Sequence, residues 1–221
     1  MRVRVRFAKT EAMRFTGHLD LFRTWERTIR RASLPLSYTL GFRPHPRMNL
    51  AAALPLGFTS DCELIDIWLD YEIELEEIKA SLIKAAPPGI CILGLESADS
   101  REASLQSMME ISEYEITLDK PLTDLAQRVD LLISSEALIR RWRDKDYDLR
   151  ALIHSLEIIG EGDSGHQLIR VQLSATEGAT GRPEEVILAL GGNPHTCRVH
   201  RTQLVLRKSQ QSNRLAFQSG A

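Results

Sequence analysis

Two histidines and six arginines lie between residues 15 and 57, and their side chains are suited to proton transfer or anion binding. His18 lies where a helical pattern begins, and the helix dipole there favours a neutral imidazole. Such an imidazole could act as a general base, cap the helix or pair with Asp20. His45 lies between two prolines, which restrict the backbone around it. A structural role and a chemical role both stay open for these histidines.

The segment from Thr16 to Leu34 has the spacing of an amphipathic helix that ends before Pro35. Apolar residues at three- and four-residue steps predict the buried face, and they are Phe22, Trp25, Ile29 and Ala32. Arginines at similar steps predict a positively charged outer face, and they are Arg23, Arg27, Arg30 and Arg31. Asp20 precedes Arg23 by one turn, so we expect the two to pair.

A loop rich in glycine, proline and aromatic residues follows this helix. The connection is short and its prolines limit the chain, so we expect its basic residues near the end of the helix. The predicted surface for an anion, RNA or an acidic partner is made of His18, Asp20, Arg23, Arg27, Arg30, Arg31, Tyr38, Gly41, Phe42, Arg43, His45, Pro46 and Arg47. Tyr38, Phe42 and Phe58 could stack on bases, although aromatic residues in turns more often pack on a core.

Charge is distributed unevenly along the first half of the chain. Residues 1–60 are rich in arginine, whereas residues 61–99 are rich in aspartate and glutamate. This asymmetry predicts either a surface that attracts a polyanion or two segments that neutralise each other across the fold.

Familiar catalytic and cofactor-binding motifs are absent from the sequence. It contains no CxxxCxxC, GxxxxGK[ST], HExxH or GxSxG pattern. Cys62, Cys91 and Cys197 are too far apart for a metal knuckle, and we expect no metal at the nearby His195 and His200. We therefore expect no metal, no cofactor and no activity of the protein on its own.

A chain of 221 residues is long enough for two small domains. No apolar run is long enough to cross a membrane, and the first residues lack the apolar block of a secretory signal. We therefore expect a cytoplasmic protein that does not bind membranes.

Hydrophobic periodicity predicts the order strand, helix, strand, strand, helix, strand in each half. In the first half, residues 47–54 and 62–69 are expected to pair as a hairpin. In the second half, residues 149–159 fit either period, and residues 143–148 have the composition of a charged turn. The predicted fold class is α+β, with two tandem ferredoxin-like (βαββαβ) halves and antiparallel sheets. The predicted division is an N-terminal domain 1–96, a linker 97–109, a C-terminal domain 110–208 and a disordered tail 209–221.

Several stretches resemble the radical SAM-linked protein family: FTGHLDL, RTWERTIRRASLPLSY, GFRPHPR and ALPLG early in the chain, and YDLRALI, RPEEVILALG and RTQLVL later. Members of that family are small domains encoded beside, or fused behind, a cobalamin-binding-type radical SAM protein. The resemblance implies a radical SAM partner and a link to RNA.

The leading hypothesis is a non-catalytic accessory protein that helps a radical SAM enzyme engage its substrate, with RNA as the substrate class. One alternative is a metal-independent RNA-processing endonuclease in which His18 or His45 is the base. A second alternative is a structural protein-interaction module.

Overall fold

The computed structural model describes residues 1–142, 144–161 and 165–207, and the tail 209–221 that we expect to be disordered lies outside them. The fold is mixed α+β, with a mostly antiparallel sheet and five α-helices in the described residues. No helix in these ranges is long and apolar enough to span a membrane.

The strands are β1 (Arg2–Lys9), β2 (Met48–Leu50), β3 (Phe58–Trp68), β4 (Ile90–Ala98), β5 (Met109–Leu118), β6 (Ile139–Trp142), β7 (Lys145–Asp148), β8 (Ile153–Glu161), β9 (Gln167–Thr176), β10 (Ala179–Thr180) and β11 (Arg198–Leu206). The helices are α1 (His18–Arg31), α2 (Leu75–Ala85), α3 (Leu105–Met108), α4 (Leu125–Ser134) and α5 (Pro183–Ala189).

One sheet runs through both halves of the chain. The strand order is β4-β1-β3-β2 in the first half and β11-β5-β9-β8 in the second. The halves meet where Val199–Arg201 of β11 lies parallel to Phe58–Ser60 of β3. Strand β3 is 11 residues long, so its first residues pair with β11 while its last residues pair with β2.

The predicted helices and strands are present, but some of their boundaries differ from those that hydrophobic periodicity predicted. The expected hairpin is confirmed, because β2 pairs antiparallel with β3. The ambiguous segment 149–159 is a short 3₁₀ turn followed by β8. The segment 143–148 was wrongly predicted as a turn, because Lys145–Asp148 forms β7 and pairs with β6 in a separate two-stranded hairpin.

The predicted linker contains structure of its own. Strand β4 extends to Ala98, and the one-turn helix α3 carries Leu105, which is fully buried beside Ala51 and Met109. The guanidinium of Arg2 donates hydrogen bonds to the carbonyls of Asp99, Glu102 and Ala103. The segment is therefore attached to β1, and the division into two domains there stays a prediction.

Helix α1 buries a face that is rotated slightly from the predicted one. Its buried residues are Leu21, Trp25, Thr28 and Ile29, whereas Phe22 and Ala32 are only half-buried. The Trp25 ring packs edge-on against Phe7 of β1, with the ring centroids 4.8 Å apart. Thr28 is tolerated inside because its hydroxyl donates to the Thr24 carbonyl at 2.8 Å.

Helix α1 ends before Pro35, as predicted. It ends at Arg31, where Ser33 adopts a left-handed φ of 56° two residues later. The Leu34 amide then donates to the Ile29 carbonyl at 3.2 Å, which completes the turn before Pro35.

A buried ion pair connects the two halves beside the β3–β11 junction. Arg201 Nη1 lies 2.9 Å from Glu63 Oε1, and each residue is 1% exposed. Arg201 Nη2 also donates to the Ala53 carbonyl at 2.8 Å and to the Tyr114 hydroxyl at 3.1 Å. Because breaking a buried pair leaves an uncompensated charge, both partners are needed together.

We expect Glu63→Gln to lower the free energy of unfolding by about 3–5 kcal/mol, because it leaves the Arg201 charge buried without a counter-charge. The double variant Glu63→Gln/Arg201→Met should lose less than the two single changes combined, because the buried charge is gone. Urea denaturation measures both quantities. Asp20→Asn, which removes an exposed partner of Arg23, is the control and should cost less than about 1 kcal/mol. A Glu63→Gln cost no larger than this control would contradict the prediction.

Candidate anion-binding surface

The outer face of α1 is basic, as the spacing predicted. Arg23, Arg27, Arg30 and Arg31 are all exposed. Arg23 forms the expected ion pair with Asp20 at 3.2 Å, and Arg30 pairs with Glu26 at 2.7 Å. Within the part of the chain that the structure describes, Arg27 and Arg31 form neither ion pairs nor side-chain hydrogen bonds. Two guanidinium groups, one helical turn apart, are thus available to an external anion.

Among the described residues, no ion pair joins the acidic segment 61–77 to this face. Asp66 accepts from Arg2 and Arg4 of β1, and its side chain is fully buried. Glu63 pairs with Arg201, and Asp61 contacts His200. Neutralisation across the fold therefore uses arginines of strands β1 and β11, and it leaves the α1 arginines outside.

The burial of Arg2 and Arg4 is a feature that sequence reasoning missed. Apolar and charged residues alternate along β1, which would place these arginines on an outer face, yet they are only 2% and 8% exposed. Residues 99–103 bind Arg2 there, and Glu102 also accepts from Arg4. The pairing of β1 with β3 explains the burial of these arginines, since Asp66 on β3 lies directly opposite Arg4. Pairing this acid with the β1 arginines requires knowledge of the strand alignment.

The loop after α1 folds into a closed projection, residues 37–47, which we call the finger. The Arg47 amide donates to the Ser37 carbonyl at 2.9 Å, and the Thr39 amide donates to the His45 carbonyl at 2.9 Å. The His45 amide donates to the Thr39 hydroxyl at 2.9 Å, and Tyr38 bridges to Pro46. These bonds make a stem with two sides, as in a small hairpin.

The base of the finger is attached to the sheet. The Ser37 amide donates to the Trp68 carbonyl at 2.8 Å, and the Trp68 amide donates to the Arg47 carbonyl at 3.0 Å. The Arg47 guanidinium lies 5.3 Å from the centre of the Trp68 ring, within range of a cation–π contact. The finger is therefore fixed to the end of β3.

The tip of the finger projects into solvent. Leu40 and Phe42 have the full exposure of extended-chain side chains, at 102% and 108%. Gly41 between them has a φ of 134°, which other residues rarely adopt. Arg43 is exposed, and it forms no ion pair or side-chain hydrogen bond with the described residues.

One contact joins the finger to α1. Arg30 donates from Nε and Nη2 to the Tyr38 hydroxyl at 3.1 and 2.8 Å. This hydrogen bond and the neighbouring Glu26 carboxylate raise the pKa of Arg30, so its charge is retained. The finger therefore begins beside the last turn of α1. Assembly of all the predicted residues into one surface stays a prediction.

His18 lies at the opposite end of α1, about 18 Å along the axis from Arg30 at 1.5 Å per residue. It neither caps the helix, whose N-cap is Gly17, nor pairs with Asp20, which binds Arg23. Its Nδ1 atom is buried and makes no hydrogen bond within the described residues. His45 is exposed at the finger, and no described group hydrogen-bonds to its ring. Among the described residues, neither imidazole therefore has a carboxylate that would orient it as a base.

Phe58 and His200 have structural contacts within the fold. Phe58 is 6% exposed and packs edge-on against Tyr114, which agrees with the packing interpretation. His200 Nδ1 lies 2.8 Å from the Thr59 hydroxyl, and Nε2 lies 3.0 Å from Asp61 Oδ2. No cluster of three metal-ligating side chains occurs in the described ranges.

Lys9 is a buried cation that fixes the entry to α1. Its Nζ donates to the carbonyls of Phe58 at 3.0 Å and Arg14 at 3.3 Å, and the residue has no exposed surface. Arg14 in turn binds the Gly57 carbonyl through Nε at 2.9 Å. Burial lowers the pKa of Lys9 from 10.5 to about 8.

Stability should rise between pH 8 and 9 because of Lys9. Its pKa is lower in the folded state than in the unfolded state, so the unfolded chain binds more protons across this window and rising pH favours folding. Lys9 should contribute an increase of about 1 kcal/mol in the free energy of unfolding from pH 8 to pH 9, measured as the difference between the changes in wild type and in Lys9→Met.

Urea denaturation at the two pH values tests this. The window must end near pH 9, because burial raises the pKa of Cys62 from 9.0 to about 12. That thiol and Cys197, whose pKa is also raised by burial, contribute the opposite slope as unfolded thiols ionise near pH 9. Both thiols are present in wild type and in Lys9→Met, so their contribution cancels in the difference. An equal increase in wild type and Lys9→Met would show that another group is responsible.

Residues 2–183 match the model of a protein family described as "Uncharacterized protein conserved in bacteria (DUF2344)", and the chain belongs to that family. A search of curated proteins finds no match. None of these findings bears on a radical SAM partner, which stays a prediction.

Three solved structures are similar to this chain at low sequence identity. One is a Cbf5-Nop10-Gar1 complex, with 11% identity, a TM-score of 0.49, and coverage of 91% of this chain and 48% of that chain. The archaeal box H/ACA sRNP Nop10-Cbf5 complex has 11% identity, a TM-score of 0.45, and coverage of 91% and 47%. An H/ACA RNP bound to a substrate RNA has 12% identity, a TM-score of 0.42, and coverage of 83% and 43%. The chain spans less than half the length of these three solved chains.

Proposed function

We propose that this DUF2344 family member is a non-catalytic binding protein that holds RNA on the outer face of α1 and the adjoining finger, for a radical SAM enzyme to act on. The observation that carries the proposal is the pair of exposed guanidinium groups of Arg27 and Arg31, which are unpaired within the described residues. Three acids of segment 61–77, Asp61, Glu63 and Asp66, are instead engaged by residues of strands β1 and β11.

The chemistry of these groups favours phosphate as the ligand. Guanidinium groups carry planar donors that bind two oxygens at once and keep their charge at all physiological pH values. Arg43 at the fingertip and Arg47 at its base add positive charge beside the end of α1. A polyanionic strand that runs from the helix to the finger would satisfy these cations together.

The assignment of the catalytic step to a partner rests on the sequence resemblance and on the cysteines. Burial raises the pKa of Cys197, and it raises that of Cys62 to about 12. A thiol held protonated is a poor ligand for a metal cluster, because the ligand is the thiolate. In this proposal the iron–sulfur chemistry belongs to the radical SAM enzyme.

The proposal includes two tandem ferredoxin-like halves, 1–96 and 110–208, joined by 97–109. The two strand orders support it, because each places the first strand of its half between the third and the fourth. In the second half the third and fourth members are β9 and β11, and the β6–β7 hairpin is an insertion between α4 and β8.

Arg27→Gln/Arg31→Gln should weaken binding of a labelled single-stranded RNA and flatten its salt dependence. The slope of log affinity against log salt should decrease by about 0.7 for each phosphate that the variant no longer neutralises. The free energy of unfolding should change by less than about 0.5 kcal/mol, because both side chains are exposed. Fluorescence anisotropy over a salt series measures the slope, and thermal denaturation measures stability.

Arg101→Gln/Arg198→Gln is the matched control, since it removes the same charge from exposed positions outside α1 and the finger. The proposal fails if both double variants lower the affinity equally, or if the wild-type protein does not bind RNA. RNA cleavage by the purified protein that disappears in His45→Ala would instead favour the endonuclease.

The partner is tested by affinity capture from native extract with and without nuclease. We expect an iron–sulfur enzyme with a radical SAM sequence to be recovered in both samples and identified by mass spectrometry. Its disappearance after nuclease treatment would mean that RNA alone bridges the two proteins. Its absence from both samples would contradict the partner while leaving the RNA proposal standing.

A further inference from the structure

We infer that the fingertip is a base-stacking element, with Phe42 stacking on an unpaired base, so that the surface selects single-stranded RNA over duplex. The inference rests on the proposed function, because it names the class of RNA that the same surface binds. It starts from the full exposure of the Phe42 ring, whereas Phe58 is buried and Tyr38 is half-buried under Arg30.

Phe42 is carried on a stem that is closed by hydrogen bonds. The stem below it is closed by three hydrogen bonds of 2.9 Å between Ser37 and Arg47 and between Thr39 and His45. A preformed stem lowers the entropic cost of binding at the tip, so the free energy of stacking on the ring is retained as affinity. Leu40 and Phe42 are both fully exposed and apolar. Exposed apolar side chains that lie together are typical of a surface that binds a partner.

The surroundings of the tip indicate which partner. Arg43 follows Phe42 directly, and Arg30 and Arg47 lie at the stem. An aromatic ring beside guanidinium groups matches a nucleotide, because a base presents a flat apolar face and its phosphate presents charge. An apolar protein groove would gain nothing from these cations.

Single strands are favoured over duplexes by the same geometry. A base offers its face to a protein ring only when it is not stacked on its neighbours, and loops and unpaired strands provide such bases. The arginines, by contrast, would bind the phosphates of either form. Phe42 should therefore control selectivity, and the α1 arginines should control affinity for both forms.

The test compares Phe42→Ala, Phe42→Leu and Phe42→Trp with wild type on a single-stranded RNA and on a duplex of the same sequence. Phe42→Ala and Phe42→Leu should weaken single-strand binding by about 5- to 150-fold, with an unchanged salt slope because the same phosphates stay neutralised. Phe42→Trp should bind as tightly as wild type. Duplex binding should be equal in all four proteins, and a fluorescent adenine analogue in the single strand should be quenched only when an aromatic ring is present.

Tyr71→Ala is the control, since it removes another exposed ring, 61% exposed, from a different part of the surface. Unchanged melting temperatures show that each variant is folded. Wild-type affinity of Phe42→Ala for the single strand, with weaker binding by Arg27→Gln/Arg31→Gln, would overturn the stacking role and leave the proposed function intact. Failure of wild type to bind either RNA would overturn both. Phe42-dependent binding to vesicles of anionic lipid, with RNA binding independent of Phe42, would identify a membrane element instead and overturn the inference.

Discussion

Two buried carboxylates on β3, Glu63 and Asp66, constrain the whole arrangement. A carboxylate that is fully withdrawn from water must be paired, because desolvation of an unpaired charge costs more than most single interactions can offset. Asp66 takes its partners from β1 and Glu63 takes its partner from β11, the last strand described. Strand β3 is thereby linked to both halves of the chain. The same pairing commits these two carboxylates to the interior, so neither forms an ion pair with the arginines of α1.

Much of the fold could be predicted from the sequence, since the apolar periods of β1, α1 and α2 are strong and their interruptions are marked by proline and glycine. The errors come from effects that periodicity does not contain. The buried face of α1 is centred on Leu21 and Trp25 rather than on Phe22, because the position of Phe7 on β1 decides which side of the helix is covered. Helix α1 ends before Pro35 as expected, but the residue at which it ends is set by the left-handed conformation of Ser33, which periodicity does not show.

The part of the candidate site on α1 could be predicted from the sequence more fully than the finger could. Outward arginines on α1 follow from spacing alone, and the Asp20–Arg23 pair follows from their separation. The finger does not, because its stem depends on hydrogen bonds between Ser37 and Arg47 and between Thr39 and His45, and loop sequences of this kind have no repeating pattern. His18 and His45 were grouped because they are near in sequence, but a helix of 14 residues separates His18 from the finger. The buried roles of Arg2, Arg4 and Lys9 depend on neighbours that only the strand register supplies.

The parallel pairing of β11 with β3 has a consequence for the newly made chain. His200 and Thr59, which meet at this junction, are 141 residues apart in sequence. At typical rates of synthesis, the ribosome needs roughly 10–30 seconds to travel between them. During that interval the first residues of β3 form an unpaired sheet edge that carries Glu63 without its counter-ion. Contacts of such long range also form slowly once the chain is complete. The nascent protein therefore exposes an edge suited to binding by chaperones, or to pairing with another chain, until β11 emerges.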